Sequence, residues 1–278
     1  MYILSLSCPD RPGLVAVVAN SLHGHNCNIE EAAQFNDPLS GRFFMRVVFS
    51  APQSDASAFQ SDFANIATEH TMEWQIHDKS EPVKTLILVS QWDHCLNDLL
   101  YRWRTNHLNI DITGVVSNHE TSRRLVEERG LDFHYMPITP DTKAKQEADL
   151  HSLIEETGTE LIILARYMQI LSNDSCGAYE GRIINIHHSF LPGFKGAKPY
   201  AQAYERGVKI IGATAHFVTA DLDEGPIIAQ HVTPIDHSYT PEKMQAVGRD
   251  LEAQALARAT ELYTERRIFA YRNRTVIL

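Results

Sequence analysis

Lys84-Thr85-Leu86-Ile87-Leu88-Val89-Ser90 carries apolar side chains at consecutive positions, not at alternate ones. A strand of that kind buries both of its faces, as parallel strands covered by helices do. Residues 111–117 and 161–164 have the same character. Helical periodicity fills the gaps, near residues 93–105, 120–130 and 142–158. Strands alternating with helices predict an α/β domain built on a doubly wound, mostly parallel sheet, with its ligand beyond the carboxyl ends of the strands. Further along, residues 183–187, 209–218 and 226–232 read as strands. Residues 240–265 form one long helix, with Met244, Val247, Leu251, Ala255, Leu256 and Leu262 on its inner face.

Upstream of Lys84 the pattern is different. Strands are expected over residues 2–7, 27–35, 43–50 and 72–77, and helices over 13–23 and 55–69. Asn36-Asp37-Pro38-Leu39-Ser40-Gly41 is a hairpin turn between two of these strands. The order is βαββαβ, a ferredoxin-like arrangement. The polar, proline-ended Asp78-Lys79-Ser80-Glu81-Pro82 separates the halves, which gives domains over residues 1–80 and 84–278.

Composition narrows the class of function. A net charge of −10 over 278 residues argues against nucleic acid as a partner, because phosphate backbones select clustered lysine and arginine. The arginines of residues 266–274, interleaved with Phe269 and Tyr271, fit an ordinary final strand better than an RNA contact. There is no run of ~18 apolar residues to cross a membrane, and the first residues lack the build of a signal peptide, so a cytoplasmic chain is expected. The four cysteines form no C-x-x-C pair, so reduced thiols are expected and a disulfide framework is not. Fourteen histidines show no metal-ligand spacing, and His187 and His188, as strand neighbours, should point to opposite faces. No metal is expected.

The densest chemistry lies in residues 184–197, INIHHSFLPGFKGA. Asn185 and His187 alternate with Ile184 and Ile186, so a carboxamide and an imidazole project from the same side of a strand. Such a pair can donate to a developing oxyanion, although taken alone it is better explained as hydrogen-bonded residues closing a sheet. A second segment changes that balance. Residues 216–230, HFVTADLDEGPIIAQ, set Asp221, Asp223 and Glu224 in a turn between apolar strands, where a carboxylate can act as a general base.

Together the two segments resemble the folate-dependent formyltransferase superfamily, and the likeness runs through nearly all of residues 85–278. The resemblance implies that Asn185, His187 and Asp223, which stands seven positions after His216, form a formyl-handling site. It also implies that Tyr167, Met168, Gln169 and Leu171 border a pterin pocket, with Gly196 and His216 among the substrate contacts. Gln169 stands where transferases acting on a ribonucleotide often carry arginine, and His188 where they tend to carry proline.

Ser7-Cys8-Pro9-Asp10-Arg11-Pro12-Gly13-Leu14-Val15 resembles the start of an ACT domain. An ACT domain ahead of a formyltransferase-like domain resembles the branch that hydrolyses 10-formyltetrahydrofolate to tetrahydrofolate and formate, supplying purine synthesis and balancing the one-carbon folate pool. That likeness implies a homo-oligomer that needs no cofactor, with an amino-acid effector such as glycine or methionine. Candidate effector residues are Asp10, Arg11, Gly13, Asn26 and Asn28, although residues 24–28 are equally well read as a turn.

The residues after the first apolar strand point the same way. Gln91-Trp92-Asp93-His94-Cys95 has no glycine and carries an acid, which makes a poor phosphate cradle. Water then becomes the acceptor. Two rivals are a transferase whose phosphate site lies at Gly193, Lys195, Gly196 and Lys198, and a catalytically inactive regulatory protein that senses an amino acid.

Overall fold

The computed structural model describes residues 1–52, 55–193 and 199–278. The chain forms two compact units. The first comprises Met1–Pro82 with Glu265–Tyr271 and Val276–Leu278, and the second Val83–Thr264 with Arg272–Thr275.

The first unit runs β1 (Tyr2–Pro9), α1 (Leu14–Gly24), β2 (Asn28–Asp37), β3 (Arg42–Ser50), α2 (Asp55–Glu69) and β4 (Glu73–Asp78). Its sheet has the order β2-β3-β1-β4, with β1 antiparallel to β3 and β4 and β2 antiparallel to β3. This is the expected ferredoxin-like unit. Leu4 and Leu6 of β1 join Phe43, Met45, Val47 and Phe49 of β3 in a core closed by Leu14, Val18 and Leu22 of α1 and by Phe59 and Phe63 of α2.

The second unit runs β5 (Val83–Val89), α3 (His94–Arg104), β6 (Ile110–Ser117), α4 (Arg123–Glu127), β7 (Phe133–Tyr135), α5 (Lys143–Thr157), β8 (Leu161–Leu164), α6 (Asn173–Ala178), β9 (Ile183–His187), α7 (Pro199–Glu205), β10 (Ile210–Phe217), β11 (Ile227–Pro234) and α8 (Pro241–Thr264). Then β12 (Ile268–Tyr271) and β13 (Arg274–Ile277) follow. The sheet order is β11-β10-β9-β8-β5-β6-β7. From β9 to β7 all neighbours are parallel, while β10 and β11 return antiparallel. β5 is central, buried on both faces, and Leu86 and Leu88 share a core with Leu150 and Ile154 of α5. The chain winds from β5 through β6 to β7, then restarts on the other side at β8. The gap between β5 and β8 is therefore the switch point at which open α/β sheets place their ligands.

The structure departs from the sequence reading in places where periodicity is weak. The helix expected over 120–130 shrinks to α4, and β7, α6 and α7 are too short for a periodic signature. The single strand expected over 266–274 is broken at Arg272, which adopts a left-handed φ of 53°.

The domain boundary differs too. The end of the chain, placed by sequence with the second domain, belongs largely to the first unit, and the reason lies in β3. Residues 43–49 are all buried, so this strand needs cover on both faces. Its odd-numbered side chains face α1 and α2. On the even-numbered side, the Phe44 ring meets Phe269 and Tyr271 edge to face, with centroids 5.8 and 6.3 Å apart. Arg46, a buried cation, donates from Nε to the Glu265 carbonyl (2.9 Å) and from Nη1 to Glu31 Oε1 (2.8 Å), the partnering that a buried charge requires. Phe44→Ala is expected to cost about 3–5 kcal/mol in urea unfolding, and Phe269→Ala, at a half-buried ring, clearly less.

Candidate active site

β9 ends the parallel part of the sheet, and β10 runs back along it. That register sets His216 directly opposite Asn185 and Thr214 opposite His187. Cross-strand neighbours are within side-chain reach, and Asn185 Nδ2 lies 3.2 Å from His216 Nε2. The far side of the His216 ring fixes the chemistry of this contact. Nδ1–H donates to the Phe217 carbonyl at 2.8 Å, and burial holds the imidazole pKa below its ordinary value. His216 is therefore neutral, its Nε2 is a lone pair, and the Asn185 amide must present its NH2 group to it. One N–H of Asn185 remains for another acceptor.

Asp223 reaches these residues from the turn after β10. Phe217 N donates to the Pro226 carbonyl (3.0 Å) and Val218 N to Ile183 O (2.9 Å), so the intervening loop is closed at its base beside the first residue of β9. Gly225 permits this closure, because a Cβ there would lie 1.8 Å from the Phe217 carbonyl oxygen. Asp223 takes a left-handed φ of 58°, a region that aspartate tolerates better than most residues and that marks functional turns. Its Oδ1 lies 3.3 Å from His187 Nδ1 and 3.9 Å from His216 Nε2. The hydrogen bond from His187 outweighs burial and holds the Asp223 carboxyl below its usual pKa, so it is ionised at neutral pH. His187 is buried, and its Nε2 meets no hydrogen-bond partner in the protein.

These groups line a cavity of about 690 Å³ at the carboxyl ends of β5, β8 and β9. Asn185, His187, His216 and Asp223 all border it, as do Tyr167, Met168, Gln169 and Leu171. The stretch from Tyr167 is tied to the end of β5, since Met168 N donates to Ser90 Oγ (3.0 Å) and Ser90 Oγ to Asn118 Oδ1 (2.7 Å). Tyr167 is itself largely a core residue. Gln146 Nε2 donates to its hydroxyl at 3.2 Å, and burial pushes its pKa up to about 12. Gly196 lies outside the described residues, as do Lys195 and Lys198.

The five residues singled out in the first unit do not converge. Asp10, Arg11 and Gly13 sit in the turn before α1. There Asp10 Oδ1 accepts from Asn36 Nδ2 at 2.8 Å, and Arg11 bonds His70 and the Glu69 carbonyl. Asn26 and Asn28 follow the other end of α1, a separation of about 16 Å for an 11-residue helix.

Among the further residues that line the cavity and that sequence reasoning left out of the site are Trp92, His94, Arg166, His188, Tyr200 and Glu252. His188 also corrects an expectation. β9 ends at His187, so strand alternation no longer applies, and the two histidine rings stack with centroids 5.1 Å apart and planes 22° apart. The one available signal for Glu252 was a carboxylate beside Leu251 on the inner face of the last long helix. His94, Cys95 and Glu252 offer ligand atoms within 4.8 Å of one another. However, Arg166 Nε lies 3.4 Å from Glu252 Oε2, and burial keeps the Cys95 thiol protonated by raising its pKa. A cation already occupies the charge balance there, and the triplet does not fit a metal.

Comparison with known proteins places this geometry. Residues 83–260 match the formyl transferase family and residues 1–77 the ACT domain family. The chain is 49% identical over 280 residues to the formyltetrahydrofolate deformylase of Corynebacterium sp. (strain P-1), covering 100% of this chain and 98% of the relative. Against the Bacillus subtilis (strain 168) formyltetrahydrofolate deformylase it is 45% identical, with 99% and 92% covered. The crystal structure of the Burkholderia mallei formyltetrahydrofolate deformylase superposes with a TM-score of 0.96 at 53% identity, covering 100% of this chain and 99% of that one.

The Gly225 contact yields a direct test of the site. Gly225→Ala should drive the turn away from Phe217 and move Asp223 by the order of 1 Å, a displacement worth about a hundredfold in rate. Turnover of the variant, read beside its urea midpoint, checks this; a rate equal to the parent would show that the turn does not position Asp223.

Proposed function

The chain belongs to the formyltetrahydrofolate deformylase family, and on that premise we propose how its cavity hydrolyses 10-formyltetrahydrofolate to tetrahydrofolate and formate. The observation that carries the proposal is His187, whose Nδ1 faces an ionised carboxylate while its buried Nε2 has no partner in the protein. With its Nδ1–H given to Asp223, Nε2 donates only while the ring carries both protons, and a formyl oxygen is the acceptor for that second N–H. With the remaining N–H of Asn185 it forms a two-donor site for the oxygen of the tetrahedral intermediate, and one such donor is typically worth about 10²–10³ in rate.

Asp223 is the base. Its lowered pKa makes it a weak base at rest, so it takes the proton of water only as the new C–O bond forms and that proton becomes acidic. The neighbouring His187, 3.3 Å away, is placed to relay the proton towards N10 of the folate. The C–N10 bond then breaks, leaving tetrahydrofolate and formate. These steps use side chains and water alone, with 10-formyltetrahydrofolate as substrate and no cofactor. The apolar side chains from Tyr167 to Leu171, together with Gln169, would hold the pterin.

The residues after β5 support water as the acceptor. Trp92 borders the cavity, with the Arg249 guanidinium 4.5 Å above its ring, where a glycine-rich phosphate loop would stand in an enzyme that formylates a ribonucleotide. The ACT unit would bind an amino-acid effector, glycine or methionine, between copies of a homo-oligomer. The separation of Asp10, Arg11 and Gly13 from Asn26 and Asn28 along α1 fits a site completed by a second copy better than one inside a single unit. Among the described residues no helix is long and apolar enough to cross a membrane. Cys8, Cys95 and Cys176 are free thiols, which suits a reducing, cytoplasmic setting.

Asp223→Asn is expected to lower turnover by at least about 10²–10⁴ while 10-formyltetrahydrofolate still binds in equilibrium dialysis. The parent enzyme should release formate with no amine acceptor present. Parental turnover in the variant would remove Asp223 as the base, and a requirement for an amine would turn the reading to transfer.

A further inference from the structure

Arg166 follows β8 with a φ of 64°, a left-handed conformation that is unfavourable for a large side chain. Its side chain is 12% exposed, so the strain delivers a guanidinium into the wall of the cavity. Nη1 donates to His188 Nδ1 at 2.5 Å, and Nε lies 3.4 Å from Glu252 Oε2. Glu252 is 3% exposed and accepts from His94 Nε2 (2.8 Å) and from the Tyr200 hydroxyl (3.1 Å). The Tyr200 contact has its own cost. A Cβ at Gly248 would lie 1.9 Å from the Tyr200 oxygen, so α8 keeps a glycine in its interior, where alanine would stabilise the helix more. Two locally unfavourable choices, far apart in sequence, converge on one buried network. Violations of that kind concentrate where function requires them.

The network ends on His188, which lies flat against His187. A guanidinium has no acceptor atom, so His188 Nδ1 must be a lone pair and the ring neutral. The groups facing it are Arg166, His187, Glu252 and Asp223, with the Tyr200 ring 6.5 Å away. Burial first, then Arg166 and His187, bring its pKa down to about 4 against the opposite pull of Glu252 and Asp223.

We propose that Arg166 is a positioning residue for deformylation: braced by Glu252, it pins His188 as a flat, uncharged support that fixes the His187 ring at the formyl oxygen. The proposal rests on the assignment of His187 to that oxygen, which Asp223→Asn tests separately.

The experiment compares kcat, KM and the pH dependence of kcat for Arg166→Gly with those of the parent. Glycine accepts the left-handed backbone, so the change removes only the side chain. The double variant Arg166→Gly/Glu252→Gln removes both charges, so that no buried carboxylate is left without its cation. The expected result is a loss in kcat of about tenfold to a hundredfold, as for a misplaced catalytic group, with KM changed by less than about threefold. Without the guanidinium the His188 pKa rises, so the acid limb of the kcat profile should move to higher pH. Added guanidinium should recover part of the rate. If neither variant folds, His188→Asn, which leaves the Arg166–Glu252 pair intact, must show the same kcat loss. A kcat within about twofold of the parent in any folded variant, or in Arg166→Gly a loss with the parent pH profile and no response to guanidinium, would overturn the proposal.

Discussion

The antiparallel return of β10 along β9 is the constraint on which the rest of the cavity depends. Parallel neighbours would stagger Asn185 and His216; the antiparallel register sets them face to face and lets one imidazole fix the orientation of one carboxamide. The same return leaves the chain residues 218–226 in which to reverse again into β11. That turn closes only because Gly225 lies on the Phe217 carbonyl. Asp223 is therefore brought to His187 by backbone geometry, and its left-handed φ is the local cost.

Charge in the cavity is distributed with similar economy. Burial keeps His216 and His188 neutral, each through a nitrogen already committed as donor or acceptor. Asp223 is held ionised by His187. Glu252, which burial alone would push towards the protonated form, is held below its ordinary pKa by His94 and Arg166. Two carboxylates thus stay charged in a half-buried space, each beside an imidazole, and only one of them faces the ring assigned to the formyl oxygen. The arrangement separates a chemical pair, Asp223 and His187, from a supporting pair, Glu252 and Arg166, with His188 between them.

The first unit obeys a simpler rule. A four-stranded antiparallel sheet with two helices on one face leaves its other face to be covered or to stay polar. Here β3 is buried on both sides, and the end of the chain supplies the cover through Phe269 and Tyr271 on Phe44. The covering segment lies more than two hundred residues from the strand it protects.

Much of this was legible in the sequence, because it depends on local periodicity. Consecutive apolar residues at Leu86–Ile87–Leu88–Val89 define a strand buried on both faces, βαββαβ order defines the first unit, and the alternation of Asn185 and His187 puts both on one side. Family resemblance singled out Asp223 among three acids in its turn, which no local rule distinguishes. Only the tertiary structure decided that His188 abandons the alternation of its strand, that the last residues belong largely to the first unit, and that Arg166, Tyr200 and Glu252 share one network. Arg166 and Glu252 are separated by 86 positions and lie on elements with ordinary patterns of their own. Their partnership is a product of sheet order and helix packing, and through-space contacts between distant segments leave no period in a single chain for the eye to find.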